Sequence, residues 1–403
     1  MLSTQRMYKY RLYPTSKQVT IFEKNLSVVC FLYNKLLEAR IKAYKNGKKS
    51  LHKFDMNNHI VKLKRKYPEL KYVHSQVLQN VSDRVDKAYQ NFFRRVKEGK
   101  GKVGFPRFKS FRRYKSITYP QNGHAFISGN KLRLSKIGDV KIVLHRPIQG
   151  KIKTLTIKRT PTGKWFAVFS CEVSVWTQKH KFPDNKVGID VGLESFATLS
   201  DNVKIENPRY LIASERRLKI LQRRLSRKVK GSANRRKSRL PVAKLHELIT
   251  NQRADFLHKL SYFLVQRYCY IAVEDLNIKG MVRHPYLAKH INDASWGTFF
   301  RNLAYKAEEA GCEIAKVSPN KTSITCSQCR TDVPKTLAIR WHRCPNCGLN
   351  IHRDLNSAKF ILLKADTVGT TEFQACGEGS SSLGAILESS PSANQEATQL
   401  VGW

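Results

Sequence analysis

Two cysteine pairs, Cys326 with Cys329 and Cys344 with Cys347, form the densest run of chemistry in this 403-residue chain. A Cys-x2-Cys turn offers two thiolates from one knuckle, and two knuckles complete the tetrahedron that zinc prefers. Fourteen residues separate the pairs, an ordinary spacing for a zinc ribbon. Pro345, Asn346 and Gly348 suit the tight turn a knuckle needs. One structural Zn²⁺ ion on Cys326, Cys329, Cys344 and Cys347 is therefore expected.

Three carboxylates sit around this ribbon in a defined order. Asp190 closes the apolar run Val187–Leu193, Glu274 closes Tyr270–Leu276, and Asp354 follows the second cysteine pair in the run His352–Asn356. If the two runs are neighbouring parallel strands, Asp190 and Glu274 emerge side by side at the sheet edge where open α/β sheets build their sites. Converging carboxylates repel one another unless a divalent cation neutralises them, and oxygen-only ligands suit Mg²⁺ or Mn²⁺ rather than zinc. Two such ions can clamp the attacking water and the leaving oxygen of a phosphodiester. Taken singly, an Asp at a strand end is more often a turn or cap residue. Asp354 alone could do no more than favour its helix N-terminus. The specific feature is the order: strand Asp, strand Glu, ribbon, helix Asp.

The elements that must hold these groups are legible in the periodicity. Residues 6–13 alternate charged and apolar side chains as a half-buried strand does, and Thr15 with Gln18 resembles a capping box opening a helix. In that helix Ile21, Val28, Leu32, Leu36 and Leu37 recur near helical spacing. Val77, Val81, Val85, Ala88, Phe92 and Val96 form one stripe of a helix over 75–97. A basic, glycine-containing loop follows (99–113), with Phe105-Pro106-Arg107-Phe108 inside it; packing against the strand module is the expected use of its aromatics. Short strand-like runs then continue to about Val175, which suggests one β-module interrupted by a helical insert. After the hairpin that starts at Val187, two helices are expected over 209–264, on seams Leu211, Leu218, Leu225 and Val242, Ile249, Phe256, Phe263. A further helix (294–309), a strand (312–317) and a last helix from Asp354 to Lys364 complete the reading.

Charge defines the class of partner. The chain carries 74 Lys and Arg against 30 Asp and Glu, a net +44, and so strong a self-repulsion points to a nucleic acid. Between residues 209 and 240 thirteen basic residues accompany a single acid, Glu215, which fits a surface that tracks a phosphate backbone. No apolar run approaches a membrane span and the start lacks a secretory core, so no membrane and a cytoplasmic, reducing location are expected. Residues 366–403 hold no Lys or Arg and read as a disordered tail.

Taken together these motifs resemble the TnpB (OrfB) family encoded by bacterial insertion sequences, relatives of the type V CRISPR effector nucleases. The resemblance is carried by YRLYPTSKQ near the start, GFPRFK (104–109), GIDVGL (188–193) and VEDLNIKGM (273–281), then by SWGTFFRNLAYKAEEAG (295–311), KVSPNKTSITCSQC (316–329) and CPNCGLNIHRDLNSA (344–358). Two departures are mild: Arg330 stands where a glycine commonly follows the first cysteine pair, and NSAKF (356–360) replaces a more usual NAA-N.

The resemblance implies a multidomain protein of α/β and α+β class. A β-barrel-like wedge module (1–14 and 99–180) would carry a helical recognition insert (15–98). A RuvC-like nuclease domain of RNase H fold (181–320 and 351–365) would carry the zinc ribbon (321–350), ahead of the tail at 366–403. It implies an RNA-guided DNA endonuclease whose metals sit on Asp190, Glu274 and Asp354. The resemblance further implies a guide RNA from the element's end and a double-stranded DNA target with a short flanking motif. Arg107, Lys109, Arg216, Arg217, Arg223, Arg224, Arg227 and Lys228 are the candidate nucleic-acid contacts. Nothing demands a dimer, and a monomer in complex with RNA is expected. The rival classes are a guided DNA binder that does not cut, a strand-joining transposase and a structural zinc-ribbon protein.

Overall fold

The computed structural model describes residues 2–47, 50–99, 103–121, 125–175, 180–336 and 338–367. It divides into two compact units, residues 1–175 and 176–403. The tail expected after residue 366 falls almost wholly outside the described residues.

The first unit opens with β1 (Leu2–Tyr13), followed by α1 (Ser16–Gly47), α2 (Lys53–Lys66) and α3 (Ser75–Lys97). Six strands complete it: β2 (Ser116–Tyr119), β3 (Ala125–Ser128), β4 (Lys131–Leu134), β5 (Gly138–Val143), β6 (Lys151–Arg159) and β7 (Trp165–Val175). They form one seven-stranded antiparallel sheet in the order β2-β6-β7-β1-β5-β4-β3. Its edges are β2 and β3, so the sheet is open, not a closed barrel. The alternation in β1 buries Tyr8, Tyr10 and Leu12 against Ala167, Phe169 and Cys171 of β7 and the apolar stripe of α1. Thr15 and Gln18 exchange both hydrogen bonds of the capping box at the start of α1 (3.0 and 3.3 Å). The stripe of α3 ends sooner than the periodicity predicts, since Val96 is 52% exposed where the helix outruns its neighbours.

The second unit is built on β8 (Lys186–Val191), β9 (Ser195–Leu199), β10 (Lys204–Glu206), β11 (Tyr270–Glu274) and β12 (Glu313–Val317). Its order is β10-β9-β8-β11-β12, with β8–β10 antiparallel and β8, β11 and β12 parallel. Between β10 and β11 run α4 (Tyr210–Ser226) and α5 (Ala233–Arg267). Between β11 and β12 lie α6 (Ile278–Met281), α7 (Ala288–Ala294) and α8 (Trp296–Ala310). The ribbon hairpin β13 (Trp341–Arg343) and β14 (Asn350–His352) leads into α9 (Arg353–Thr367).

Helices cover both faces of this sheet, which is why its central strands read as continuous apolar runs. Ile271 and Val273 face Leu257, Leu264, Phe299 and Leu303 of α5 and α8, while Tyr270 and Ala272 face Ile361 and Ala365 of α9. The expected helix over 294–309 is α8; the short helix α7 precedes it and ends at Ser295, whose φ of 58° is left-handed. The seam of α4 and α5 holds for Leu218, Leu225, Val242 and Ile249. It does not extend to the end of α5: Phe256 turns edge-on to Phe196 of the sheet core, and Phe263 is 44% exposed. Among the described residues no helix is long and apolar enough to cross a membrane.

Candidate active site and metal centre

Asp190 is the penultimate residue of β8 and Glu274 the last of β11. Ile189 pairs with Val273 in parallel register, so the two acids stand abreast at the carboxyl edge. Asp354 enters from α9, which lies across β8. A Cβ on Gly188 would come within 2.1 Å of the Ala358 carbonyl oxygen, so only glycine lets the helix lie this close to the strand. Burial, then the charges of Glu274 and Asp354, push the Asp190 carboxyl well above the usual carboxylate range, with Arg353 opposing. Burial also raises Glu274, moderated by the Thr322 hydroxyl that donates to it and by Lys364. The repulsion among the three acids falls on Asp190, the most deeply enclosed of them. Three carboxylates brought to one place supply the oxygen donors that a divalent cation takes.

Asp354 is held by its neighbours in sequence. Arg353 Nε donates to it at 3.3 Å, and the Asp354 amide donates to His352 Nδ1 at 3.3 Å. Burial, together with Lys204 and Arg340, lowers the pKa of His352 against the pull of Asp354, which favours the neutral ring that accepts this bond. Asn356, fully buried two residues further on, donates from Nδ2 to the Thr325 carbonyl (2.8 Å) and accepts from the Ser327 amide (2.9 Å). It therefore clasps the first cysteine knuckle to the helix that carries Asp354. Periodicity pointed to none of Thr322, His352 and Asn356 as a supporting residue.

The four thiols do converge: all four Sγ atoms lie within 4.8 Å of one another. Cys326 and Cys347 are 3.6 Å apart and Cys329 and Cys344 are 3.4 Å apart. Zn–S bonds of about 2.3 Å need comparable sulfur–sulfur edges, so the donor set fits one tetrahedral zinc. The two knuckles are built alike. Arg330 and Gly348 donate their amides to Cys326 and Cys344 (3.1 and 3.0 Å), and both residues are left-handed, at φ 64° and 74°. Arg330 thus keeps the glycine turn, at a backbone cost of about 1–2 kcal/mol.

The candidate nucleic-acid contacts fall in two places. Arg216, Arg217, Arg223, Arg224, Arg227 and Lys228 are exposed along α4 and its C-terminal turn, opposite the buried Leu218 and Leu225. Arg107 and Lys109 belong to the first unit. Arg107 is exposed, but the Lys109 ammonium lies 4.4 Å from the Tyr33 ring centroid, and Asn34 holds the Lys109 backbone on both sides. The loop aromatics were expected to pack on the strand module, but the ring contacts of Phe105 are with α3 instead. Phe105 meets Tyr89 and Phe92 edge-on, while Phe108 is 59% exposed.

Residues 168–284 match the family model described as "Probable transposase" (OrfB of IS605-type elements), and residues 296–361 match the Cas12f1-like TNB domain. A model described as a helix-turn-helix domain matches residues 1–49, which here are the strand β1 followed by the single helix α1. A provisionally named RNA-guided DNA endonuclease of Streptomyces pristinaespiralis is 33% identical, over 94% of this chain and 92% of its own length. The similarly named InsQ of Escherichia coli K12 is 29% identical over 98% of each chain. Among solved structures, the mini-RNA-guided endonuclease CRISPR-Cas phi3 aligns at 9% identity with a TM-score of 0.50, covering 91% of this chain and 93% of that one, a likeness of fold. The chain belongs to the TnpB (OrfB) family.

Proposed function

We propose that this protein is an RNA-guided DNA endonuclease of a transposable element, cutting phosphodiester bonds by divalent-metal hydrolysis. The observation that carries the reading is the convergence of Asp190, Glu274 and Asp354 at one sheet edge, with Asp190 pushed up by burial and then by the other two. The sheet order β10-β9-β8-β11-β12 is that of an RNase H fold, which supports a RuvC-like domain in the second unit. In the first unit the open sheet would serve as the wedge and α1–α3 as the recognition insert.

Asp190, Glu274 and Asp354 would hold Mg²⁺ or Mn²⁺, most simply two ions, whose chemistry is to activate water and neutralise the charge of a reacting phosphate. Thr322 and Arg353 orient Glu274 and Asp354 before substrate arrives, so little reorganisation is left for the reaction itself. The zinc ribbon, clasped by Asn356, fixes the start of α9. The basic face of α4 would follow the phosphate backbone, while base pairing with the guide reads the sequence and the protein reads a flanking motif. The guide RNA, the target duplex, a cytoplasmic location and a monomeric RNA complex belong to this reading.

The test is to express the protein beside its native flanking DNA, sequence the co-purifying RNA, and assay Mg²⁺-dependent cutting of a target matched to that RNA. One discrete RNA and guide-matched cleavage are expected. Heterogeneous RNA and no matched cleavage would reduce the chain to a general basic nuclease or a DNA-end binder.

A further inference from the structure

The basic helix α4 supplies neither of its own end caps. Its N-cap residue, Arg209, is left-handed (φ 45°) and caps nothing with its side chain, and the first turn holds no acid. Both ends are met from other elements of the second unit. At the amino end the Asp293 carboxylate, on α7, accepts the amides of Leu211 (3.0 Å) and Ile212 (3.4 Å). At the carboxyl end the Arg235 guanidinium, on α5, donates to the carbonyls of Leu225 and Lys228 (2.9 and 2.7 Å). An anion at the first end and a cation at the last both complement the helix dipole.

Asp293 does more than cap. It is buried, and Arg253 Nη2 of α5 donates to it at 3.2 Å. A buried carboxylate is costly unless it is paired and hydrogen-bonded, and here every one of these partners belongs to α4 or α5. The two helices meet each other through a small core of their own, distinct from that of the sheet. One side chain of α7 therefore sets where α4 leaves the domain. A second link, Lys289 to Glu215 at 3.2 Å, is open enough to solvent to add little.

Beyond this base Arg216, Arg223 and Arg227 follow at spacings of seven and four, one stripe of the exposed face. Arg227 lies about 24 Å along the axis from Leu211 at 1.5 Å per residue, so a tilt of about 10° at the base moves it about 4 Å. That is enough to break a charge-assisted hydrogen bond to a phosphate.

We propose that Asp293 is the positioning residue of the basic helix: by capping α4 and pairing with Arg253 it aims the Arg216, Arg223 and Arg227 stripe at a phosphate backbone. This rests on the reading of α4 as the surface that follows that backbone.

The test uses full-length protein, with its guide RNA and then a guide-matched DNA duplex as probes, without Mg²⁺, and Kd measured from about 50 to 200 mM salt. Arg216→Ala combined with Arg223→Ala shows which probe α4 touches and should flatten the slope of log Kd on log salt by about 2. Asp293→Ala should flatten it as much, so that the same salt range weakens the variant roughly 15-fold less than the parent. A purely structural role would lower the fraction of active protein and leave this slope where it is. Asp293→Asn keeps an oxygen for the helix amides and should recover most of the slope. Asp293→Ala combined with Arg253→Met strands no charge, so it should fold even where Asp293→Ala does not, and show the same flattened slope. The parent's slope in Asp293→Ala or in that double variant, or an Asp293→Asn protein as flat as the double variant, would overturn the proposal. If the arginine pair changes the slope with neither probe, the reading of α4 itself fails and takes the proposal with it.

Discussion

Substituting Gly188 by alanine should separate cleavage from binding. Gly188 lies in the middle of β8, two residues before Asp190, and faces the backbone of α9. The added methyl would lie 2.1 Å from the Ala358 carbonyl oxygen and 2.9 Å from Leu362 Cβ. A backbone carbonyl cannot rotate away, so strand and helix must part by about 1.3 Å to reach an ordinary contact of 3.4 Å. Overpacking of this kind costs about 1–3 kcal/mol, which a domain of this size should survive. The catalytic cost is larger, because α9 carries Asp354 and a misplacement of about 1 Å can lower a rate by about 100-fold. Single-turnover cleavage by RNA-loaded Gly188→Ala should fall by about that factor, while target binding and zinc content stay near the parent's. Gly192→Ala is the control, since its methyl would meet only the Ser195 carbonyl oxygen at 3.0 Å. A Gly188→Ala protein that cuts within threefold of the parent would refute the claim that this spacing sets the site.

Asp190→Ala should abolish guided cleavage and leave target binding largely intact; cutting at the normal rate would remove Asp190 from the site. Thr322→Val takes away the hydroxyl that orients Glu274 and should raise the Mg²⁺ concentration for half-maximal cleavage by about 10- to 100-fold, read from a metal titration. Asn356→Ala strands a backbone amide and a carbonyl, at about 1–3 kcal/mol each. Hydrogen exchange at Ser327 should quicken in that variant while zinc stays bound; unchanged exchange would mean that the knuckle is held by other contacts.

The candidate metal ligands were legible because their chemistry is tied to local pattern. A Cys-x2-Cys turn and an apolar run ending in a carboxylate are both visible within a few residues. The parallel pairing of β8 with β11 was legible only as a condition, since it joins runs more than eighty residues apart and rests on the helices between them. What sequence reading missed is mostly contact between distant segments. Asn356 is an unremarkable helical asparagine until Thr325 and Ser327 are folded onto it. Phe263 and Val96 fit their stripes yet are exposed, because periodicity tells which way a side chain faces but not where the neighbouring element stops. Phe108 erred in the same direction: an aromatic was expected to pack, and its ring is exposed.

The close seat of α9 on β8 also bears on how the protein is made. Asp190 and Asp354 are joined only when a helix near the end of the described chain lies down on a strand that emerged 164 residues earlier. At ordinary elongation rates that interval is roughly ten to thirty seconds, during which the first unit is already complete and free to fold. A nascent chain would thus be able to meet RNA well before it owns a centre able to break a strand. A chain stopped before α9 would never acquire one. The order of synthesis alone would delay the proposed chemistry until the first unit and the sheet of the second have been made.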